Sequence, residues 1–279
     1  MRGSGMNGGG RLALVAALLL LSACSGGTKY IGSNDEPSAC SSPAVPPAEL
    51  ALDPFYERYL DGRGIPVVSS ENVSATALER ACVTTVHLLD KRADVRARLA
   101  ENGFRVAVIG VDEVLTELPE YRDLDELYPD VDWDYTIRSL GAGLLERPVS
   151  TVGEENLLCS SDDPYAGESI AIHSIAHGLR SFGIVDVDPP WDERLEAAYE
   201  AATRAGLWEG TFAATDASQY WAEGVQGWYD ANLEATPADG LHNEVDTRRE
   251  LKAYDPELWA LIAEYVPEDD WRPACLAGR

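Results

Sequence analysis

The sequence predicts one α+β domain with a mixed α/β N-terminal lobe and a mainly helical C-terminal lobe. Residues 65–68 and 104–110 are short apolar runs rich in valine and isoleucine, which favour strands. Between them, residues 75–102 carry apolar side chains at helical spacing, and Gly103 follows as a typical helix end. After Pro148, a glycine-rich and acidic stretch leads to Gly167. Four helical segments then follow, over residues 168–181, 192–206, 215–233 and 255–265.

The first 23 residues have the pattern of an export signal. Arg2 and Arg11 make the start basic, and residues 12–21 form an apolar run too short to span a bilayer. The run ends in Leu-Ser-Ala-Cys, which resembles the bacterial lipobox, where cleavage precedes a cysteine that is then acylated. An ordinary signal peptide followed by an unrelated cysteine is the alternative. We therefore expect an extracytoplasmic protein anchored to the bacterial cell membrane through a lipid on Cys24, such as palmitate.

Composition separates a linker from the domain. Residues 24–48 are rich in Gly, Ser, Pro and Ala and predict a flexible linker, which leaves residues 49–279 as the domain.

The net charge limits the classes of partner that the protein can bind. The chain has 22 Lys and Arg against 48 Asp and Glu. Removal of residues 1–23 takes away two arginines and no acid, so the formal charge falls from −26 to −28. This charge repels phosphate backbones, so nucleic acid is excluded as a partner.

Four cysteines remain once Cys24 is assigned to the lipid. An even number in an oxidising compartment predicts two disulfides, for which three pairings exist. We favour Cys40 with Cys82 and Cys159 with Cys275, the second of which ties the C-terminal tail to the centre of the domain. Zinc binding by these thiols is disfavoured because none belongs to a C-x-x-C pair.

The strongest chemical signal is a pair of histidines, His173 and His177, on a predicted apolar helix. Histidines four residues apart lie on one helix face with Cβ atoms about 5–6 Å apart, which lets both imidazoles reach one tetrahedral metal ion. A third ligand is needed. Glu223 is the candidate, because a carboxylate among Tyr and Trp on a second apolar helix is costly to bury unless it is paired or bound to metal.

These residues also carry a resemblance to a family of secreted or lipid-anchored zincin-like proteins. The pair of predicted helices that carries His173, His177 and Glu223 is similar to the catalytic half of anthrax lethal factor and of the Pro-Pro endopeptidases. The resemblance implies a gluzincin-like metallopeptidase fold, with Zn²⁺ held by His173, His177 and Glu223. The segments that carry it are residues 154–159, 173–177, 206–211, 220–226 and 239–243.

Position 174 departs from this resemblance. In the H-E-x-x-H motif the glutamate activates zinc-bound water, whereas this chain has Ser174, whose hydroxyl is no base near neutral pH. Loss of a positioned base costs about 10²–10⁴ in rate. Glu168 is the substitute base in the alternative interpretation, although on a continuous helix it lies roughly 140° around from His173.

Two further side chains are candidates for catalysis. Tyr220 lies three residues before Glu223 and is a candidate oxyanion donor, although an aromatic at helical spacing is also typical of a core. His242 is a candidate proton donor across the cleft, with an ordinary loop histidine as the alternative.

Three functional hypotheses follow from the sequence. The first is a lipid-anchored zinc-binding pseudopeptidase that binds a peptide or protein partner in its cleft. The second is an active zinc peptidase that uses Glu168 as its base. The third is a metal-free surface binding or structural domain in which His173 and His177 are core residues. The metal content of the protein separates the third hypothesis from the first two.

Overall fold

The computed structural model describes residues 40–277, the side chains of Tyr135, Thr136 and Leu144 excepted. The predicted signal peptide, Cys24 and the first part of the predicted linker lie outside the described residues. Within the described range, no helix combines the length and the apolar character that crossing a membrane requires.

A four-stranded mixed sheet and a set of helices confirm the predicted α+β class. The strands lie in chain order across the sheet. The first pair is antiparallel, and the remaining two pairs are parallel. Their bounds are β1 (Arg58–Asp61), β2 (Pro66–Ser69), β3 (Arg105–Ile109) and β4 (Val149–Gly153).

Helices pack against the sheet and form most of the second half of the chain. A π-helical turn, Arg180–Ile184, joins the helix over residues 170–179 to the helix over residues 185–187. The α-helices are α1 (Ala75–Leu89), α2 (Ala93–Glu101), α3 (Leu124–Leu127), α4 (Trp133–Thr136), α5 (Glu154–Leu158), α6 (Ile170–Leu179), α7 (Val185–Val187), α8 (Pro189–Arg204), α9 (Ala217–Trp228), α10 (Arg248–Tyr254) and α11 (Pro256–Tyr265).

The predicted strands at 65–68 and 104–110 correspond to β2 and β3, and the predicted helical stretch 75–102 forms α1 and α2. The sequence did not predict β4. Two polar residues, Ser150 and Thr151, interrupt its apolar pattern although both side chains are buried. Each finds a partner: the Ser150 hydroxyl donates to the carbonyl of Ser174, and the Thr151 side chain accepts from the Leu140 amide. Hydrogen bonding therefore keeps this strand buried without apolar periodicity.

Helices α6 and α9 lie side by side, and α6 also packs against β4. Glycines let each of the two helices pack closely on other elements, since a Cβ on Gly178 would overlap the ring of Phe104 and one on Gly224 would overlap Leu258 of α11. The indole of Trp221 on α9 donates to the carbonyl of Ala176 on α6, at 2.8 Å. The two helices therefore hold a fixed relative position.

Two disulfides pair the cysteines as predicted, Cys40 with Cys82 and Cys159 with Cys275. The first fixes residue 40 to α1. A short ladder between Ala44 and Tyr59 follows, with N–O distances of 3.0 and 2.8 Å. Residues 40–48, at the end of the predicted linker, are therefore attached to the sheet. The second disulfide ties the C-terminal segment to the residue that follows α5.

Candidate histidine site

The α6 and α9 helices bring two histidines and three polar side chains together. His173 and His177 extend from one face of α6, and Gln219, Glu223 and Gln226 lie four and three residues apart on α9. The two Nε2 atoms of the histidines are 3.1 Å apart. His173 is 6% exposed and His177 is 8% exposed. The backbone of Gly141 lies so close to the His177 ring that a Cβ there would overlap it.

Glu223 contacts the opposite edge of the His173 ring. Its Oε1 lies 3.0 Å from Nδ1 of His173, and its Oε2 accepts from Nδ2 of Asn232 at 2.9 Å. Nδ1 and Nε2 point away from each other across an imidazole ring, so this carboxylate does not meet the point where the two Nε2 atoms converge. The structure therefore joins His173 to His177 and His173 to Glu223, but it does not bring all three predicted ligands to one centre.

A glutamine occupies the place that the third ligand was expected to take. Oε1 of Gln219 lies 3.1 Å from Nε2 of His173. The neighbouring Ser218 places its Oγ 2.9 Å from Nδ1 of His177. The ring of Phe212 stacks on that of His173 with centroids 6.0 Å apart. The side chain from α9 that meets Nε2 of His173 is therefore a neutral amide.

The surroundings shift the pKa values of the two histidine rings in opposite directions. Burial alone lowers the pKa of His173, but the hydrogen bond and the charge of Glu223 outweigh it and raise that pKa above its usual value. Burial, with the neighbouring His173, lowers the pKa of His177 to about 3. Nδ1 of His173 donates to Glu223, because a carboxylate only accepts, and His177 stays neutral near pH 7.

This donor set does not fit a zinc ion. Zinc sites in proteins use Cys, His, Asp and Glu, and an amide is a poor substitute. Among residues 40–277, no cluster of three such side chains is placed to hold a metal ion. The ring nitrogens have partners, and the buried polar atoms without one lie elsewhere in this range, on Trp133, Trp191, Tyr229 and Trp259. The network is complete through hydrogen bonds alone.

Ser174 is part of the core between α6 and β4. Its side chain is hydrogen-bonded to the hydroxyl of Ser139, and its backbone carbonyl accepts from the Ser150 hydroxyl at 2.6 Å. The residue is 2% exposed. The residue at the position of the expected general base therefore lies in a buried hydroxyl cluster, away from solvent.

Glu168 and His242 lie together on the Glu223 side of the site. Nε2 of His242 is 3.5 Å from Oε2 of Glu168, which also accepts from Nε2 of Gln226 at 2.6 Å. The hydrogen bond with Glu168 raises the pKa of His242 above its usual value. Gln226 in turn places its Oε1 3.2 Å from Nδ1 of His173. Glu168 thus faces the Nδ1 edge and not the two Nε2 atoms, which argues against its expected role as the substitute base.

Tyr220 faces away from the histidines. It is fully buried, and its hydroxyl donates to Oδ2 of Asp255 at 2.6 Å. Burial raises the pKa of Tyr220 well above its usual value. The same carboxyl oxygen accepts from the indole of Trp208 at 2.9 Å. Tyr220 is therefore a core residue that fixes α9 to the start of α11, and the structure does not place its hydroxyl, the expected oxyanion donor, at the histidine pair.

We expect Tyr220→Phe to lower the free energy of unfolding by about 2 kcal/mol, because it removes a buried hydrogen bond to a charged group. Urea denaturation measures this loss. Tyr199→Phe is the matched control: its hydroxyl donates to the backbone carbonyl of Ala214, so we expect about 1 kcal/mol. An equal or smaller loss in Tyr220→Phe would contradict the assigned contact.

A crevice lies beside Glu223 and His242. It is bounded by Trp208, Leu241 and other residues and leaves no volume for a water molecule. The space next to the acidic side of the site is therefore closed in this structure.

The sequence matches no protein-family model and no curated protein. Solved structures do show similarity to this chain, and one of them is a Pro-Pro endopeptidase. Among solved structures, the PRO-PRO endopeptidase from Paenibacillus alvei aligns with a TM-score of 0.41 and 14% sequence identity. The alignment covers 66% of this chain and 90% of that one. An alignment with this TM-score and identity carries no argument about the fold or the activity of this chain.

The sequence interpretation missed Gln219, Ser218 and Gln226. A signal for two of them was present, since residues 219, 223 and 226 share the helix face that carries Glu223. Charge alone does not identify the partners of the histidines, because an amide on that face contacts an imidazole as well as a carboxylate does.

Proposed function

We propose that this protein is a lipid-anchored, extracytoplasmic binding protein whose peptidase-like helix pair neither binds zinc nor hydrolyses peptides. One observation carries the proposal: Glu223 pairs with Nδ1 of His173, while the neutral Gln219 and His177 occupy the Nε2 side. The third hypothesis from the sequence, a metal-free binding domain, is therefore the one that these contacts support.

Hydrolysis of a peptide bond by a zincin needs a metal-activated water and a base beside it. Here the residue at the base position is Ser174, buried against Ser139, and Glu168 faces the other side of the histidine pair. The rings themselves are almost fully buried. These features disfavour the active-peptidase hypothesis, and the donor set disfavours zinc-dependent binding. A peptide or protein partner remains the proposed ligand class.

The test of this proposal is the activity of the whole protein, purified with detergent from the membranes of a bacterial host. We expect casein and a fluorogenic peptide library to be cleaved at background rate, with or without added zinc. Zinc-dependent cleavage that disappears in His173→Ala would refute the proposal.

The lipid anchor is a separate part of the proposal, supported by the lipobox-like sequence that ends at Cys24. We expect Cys24→Ser to move most of the protein from the membrane fraction to the soluble fraction, because the acylated thiol is lost. Fractionation followed by immunoblotting measures this, with labelling by radioactive palmitate as the chemical readout. Cys40→Ser is a matched control that removes a disulfide cysteine and should leave labelling intact. Equal membrane association of Cys24→Ser and the unaltered protein would contradict the anchor.

A further inference from the structure

We propose that a cavity beside α10 and α11 binds a small ligand that carries a carboxylate on an aromatic or aliphatic body. The cavity has a volume of about 490 Å³, within the range of small-molecule sites. Residues at the end of α9, on α10 and α11, and in the C-terminal segment line it. It lies at the opposite end of α9 from Gln219. The inference extends the proposed binding function by naming a ligand class, and it does not depend on the metal state of the histidine pair.

The cavity is locally cationic in a strongly acidic protein. Its lining includes four basic and two acidic side chains, which are Arg248, Arg249, Lys252, Arg272, Asp230 and Glu268. Arg272 neutralises Asp230 through a hydrogen bond of 2.9 Å from its Nε to Oδ2. Three cations thus remain against one acid, and such a lining concentrates anions.

Arg248 provides the best-positioned cation. Its Nε donates to the carbonyl of Trp228 and its Nη2 to that of Asp269, each at 2.7 Å. The guanidinium also lies 4.8 Å above the centre of the Trp228 ring. Within residues 40–277 it forms no ion pair with a carboxylate, although burial and the charge of Arg272 lower its pKa. A half-buried, immobilised and unpaired guanidinium favours an anionic ligand, and the planar carboxylate matches its geometry.

The ring of Trp259 supplies an apolar surface beside these cations. It lies 5.3 Å from the buried ring of Trp228. Nζ of Lys252 is 3.9 Å from the centre of the Trp259 ring and has no hydrogen-bond partner in the described part of the chain. Arg249 is 88% exposed, with a single long contact to Glu250 at 3.4 Å. Donors of Lys252 and Arg249 are therefore free for a carboxylate whose body rests on the indole of Trp259.

The experiment uses the whole detergent-purified protein and isothermal titration calorimetry at low salt. The probes are 3-phenylpropionate, as a free acid, and acetyl-Gly-Gly-Phe, as a peptide C-terminus, each compared with its amide. We expect at least one acid to bind one-to-one with a Kd of about 1 mM or tighter, and its amide about tenfold or more weakly. If only one of the two acids binds, the result shows whether the ligand is a small free acid or a peptide C-terminus.

The variant that tests the site is Arg249→Gln combined with Lys252→Gln, which removes two exposed charges without touching a buried contact. We expect it to weaken binding of the acid by about tenfold or more. Arg204→Gln on α8, 68% exposed and outside the cavity, is the matched control and should bind as the unaltered protein does.

Three results would each overturn the assignment. They are binding of neither acid, equal binding of acid and amide, and undiminished binding by the double variant. Inorganic phosphate that binds as tightly as 3-phenylpropionate would refute the role of the tryptophan surface. Zinc and peptidase measurements do not enter this titration, so its failure leaves the proposed function standing.

Discussion

Replacement of Glu223 by alanine is expected to lower the free energy of unfolding by about 3–5 kcal/mol. The carboxylate accepts from the buried Nδ1 of His173 and from Nδ2 of Asn232, so its removal leaves two polar groups unpaired in the core. Chemical denaturation followed by circular dichroism measures the loss. The measurement is made in EDTA, so that loss of a bound metal cannot produce it.

Two comparisons give this result its meaning. Glu196→Ala removes an acid that is 52% exposed and paired with Arg180, and we expect it to cost about 1 kcal/mol or less. In a His173→Ala background, Glu223→Ala should cost far less than in the unaltered protein, because its partner is already gone. Additive losses in that double-mutant cycle would show that the two side chains do not form a pair.

Conversion of Gln219 to glutamate is expected to create a zinc site. The new carboxylate would lie where Oε1 of Gln219 now approaches Nε2 of His173, on the side that the His177 Nε2 atom also faces. Two imidazoles and one carboxylate then meet at one point, as in zinc enzymes, with Glu223 supporting His173 from its other nitrogen. We expect zinc content to rise from far below one to about one ion per chain, measured by elemental analysis.

The control is Gln226→Glu, which places a carboxylate on the same helix but next to Nδ1 of His173. We expect this variant to gain no zinc. Ser174→Glu alone should leave cleavage at background, because a base without a metal-bound water has no nucleophile to activate. A Gln219→Glu protein that folds and binds no more zinc than the unaltered chain would contradict the geometry described here.

The sequence predicted the chemistry of the helix pair better than its arrangement. Helical spacing places His173 and His177 on one face and requires a partner for Glu223, and all of this is present. Spacing does not show which ring nitrogen of His173 the Glu223 carboxylate contacts. The answer depends on the rotation of α9 about its axis, which tertiary contacts such as Trp221 with Ala176 determine.

Polar burial explains the other differences between sequence and structure. The apolar pattern does not predict β4, because Ser150 and Thr151 interrupt it and their hydroxyls find hydrogen-bond partners that are distant in the sequence. Tyr220 resembles a site residue for the same reason, since only the fold shows that its hydroxyl meets Asp255. The cationic cavity was not predicted either, because Trp228, Arg248 and Arg272 come together only when the C-terminal segment packs against α9 and α10.

The zinc content of the unaltered protein tests the central claim most directly. The protein is purified from bacterial membranes, incubated with a small excess of zinc, passed through a desalting column and measured by elemental analysis. We predict far less than one zinc ion per chain, because Nδ1 of His173 pairs with Glu223 and Gln219 supplies only an amide on the Nε2 side. About one zinc ion per chain, lost in both His173→Ala and His177→Ala, would contradict the account.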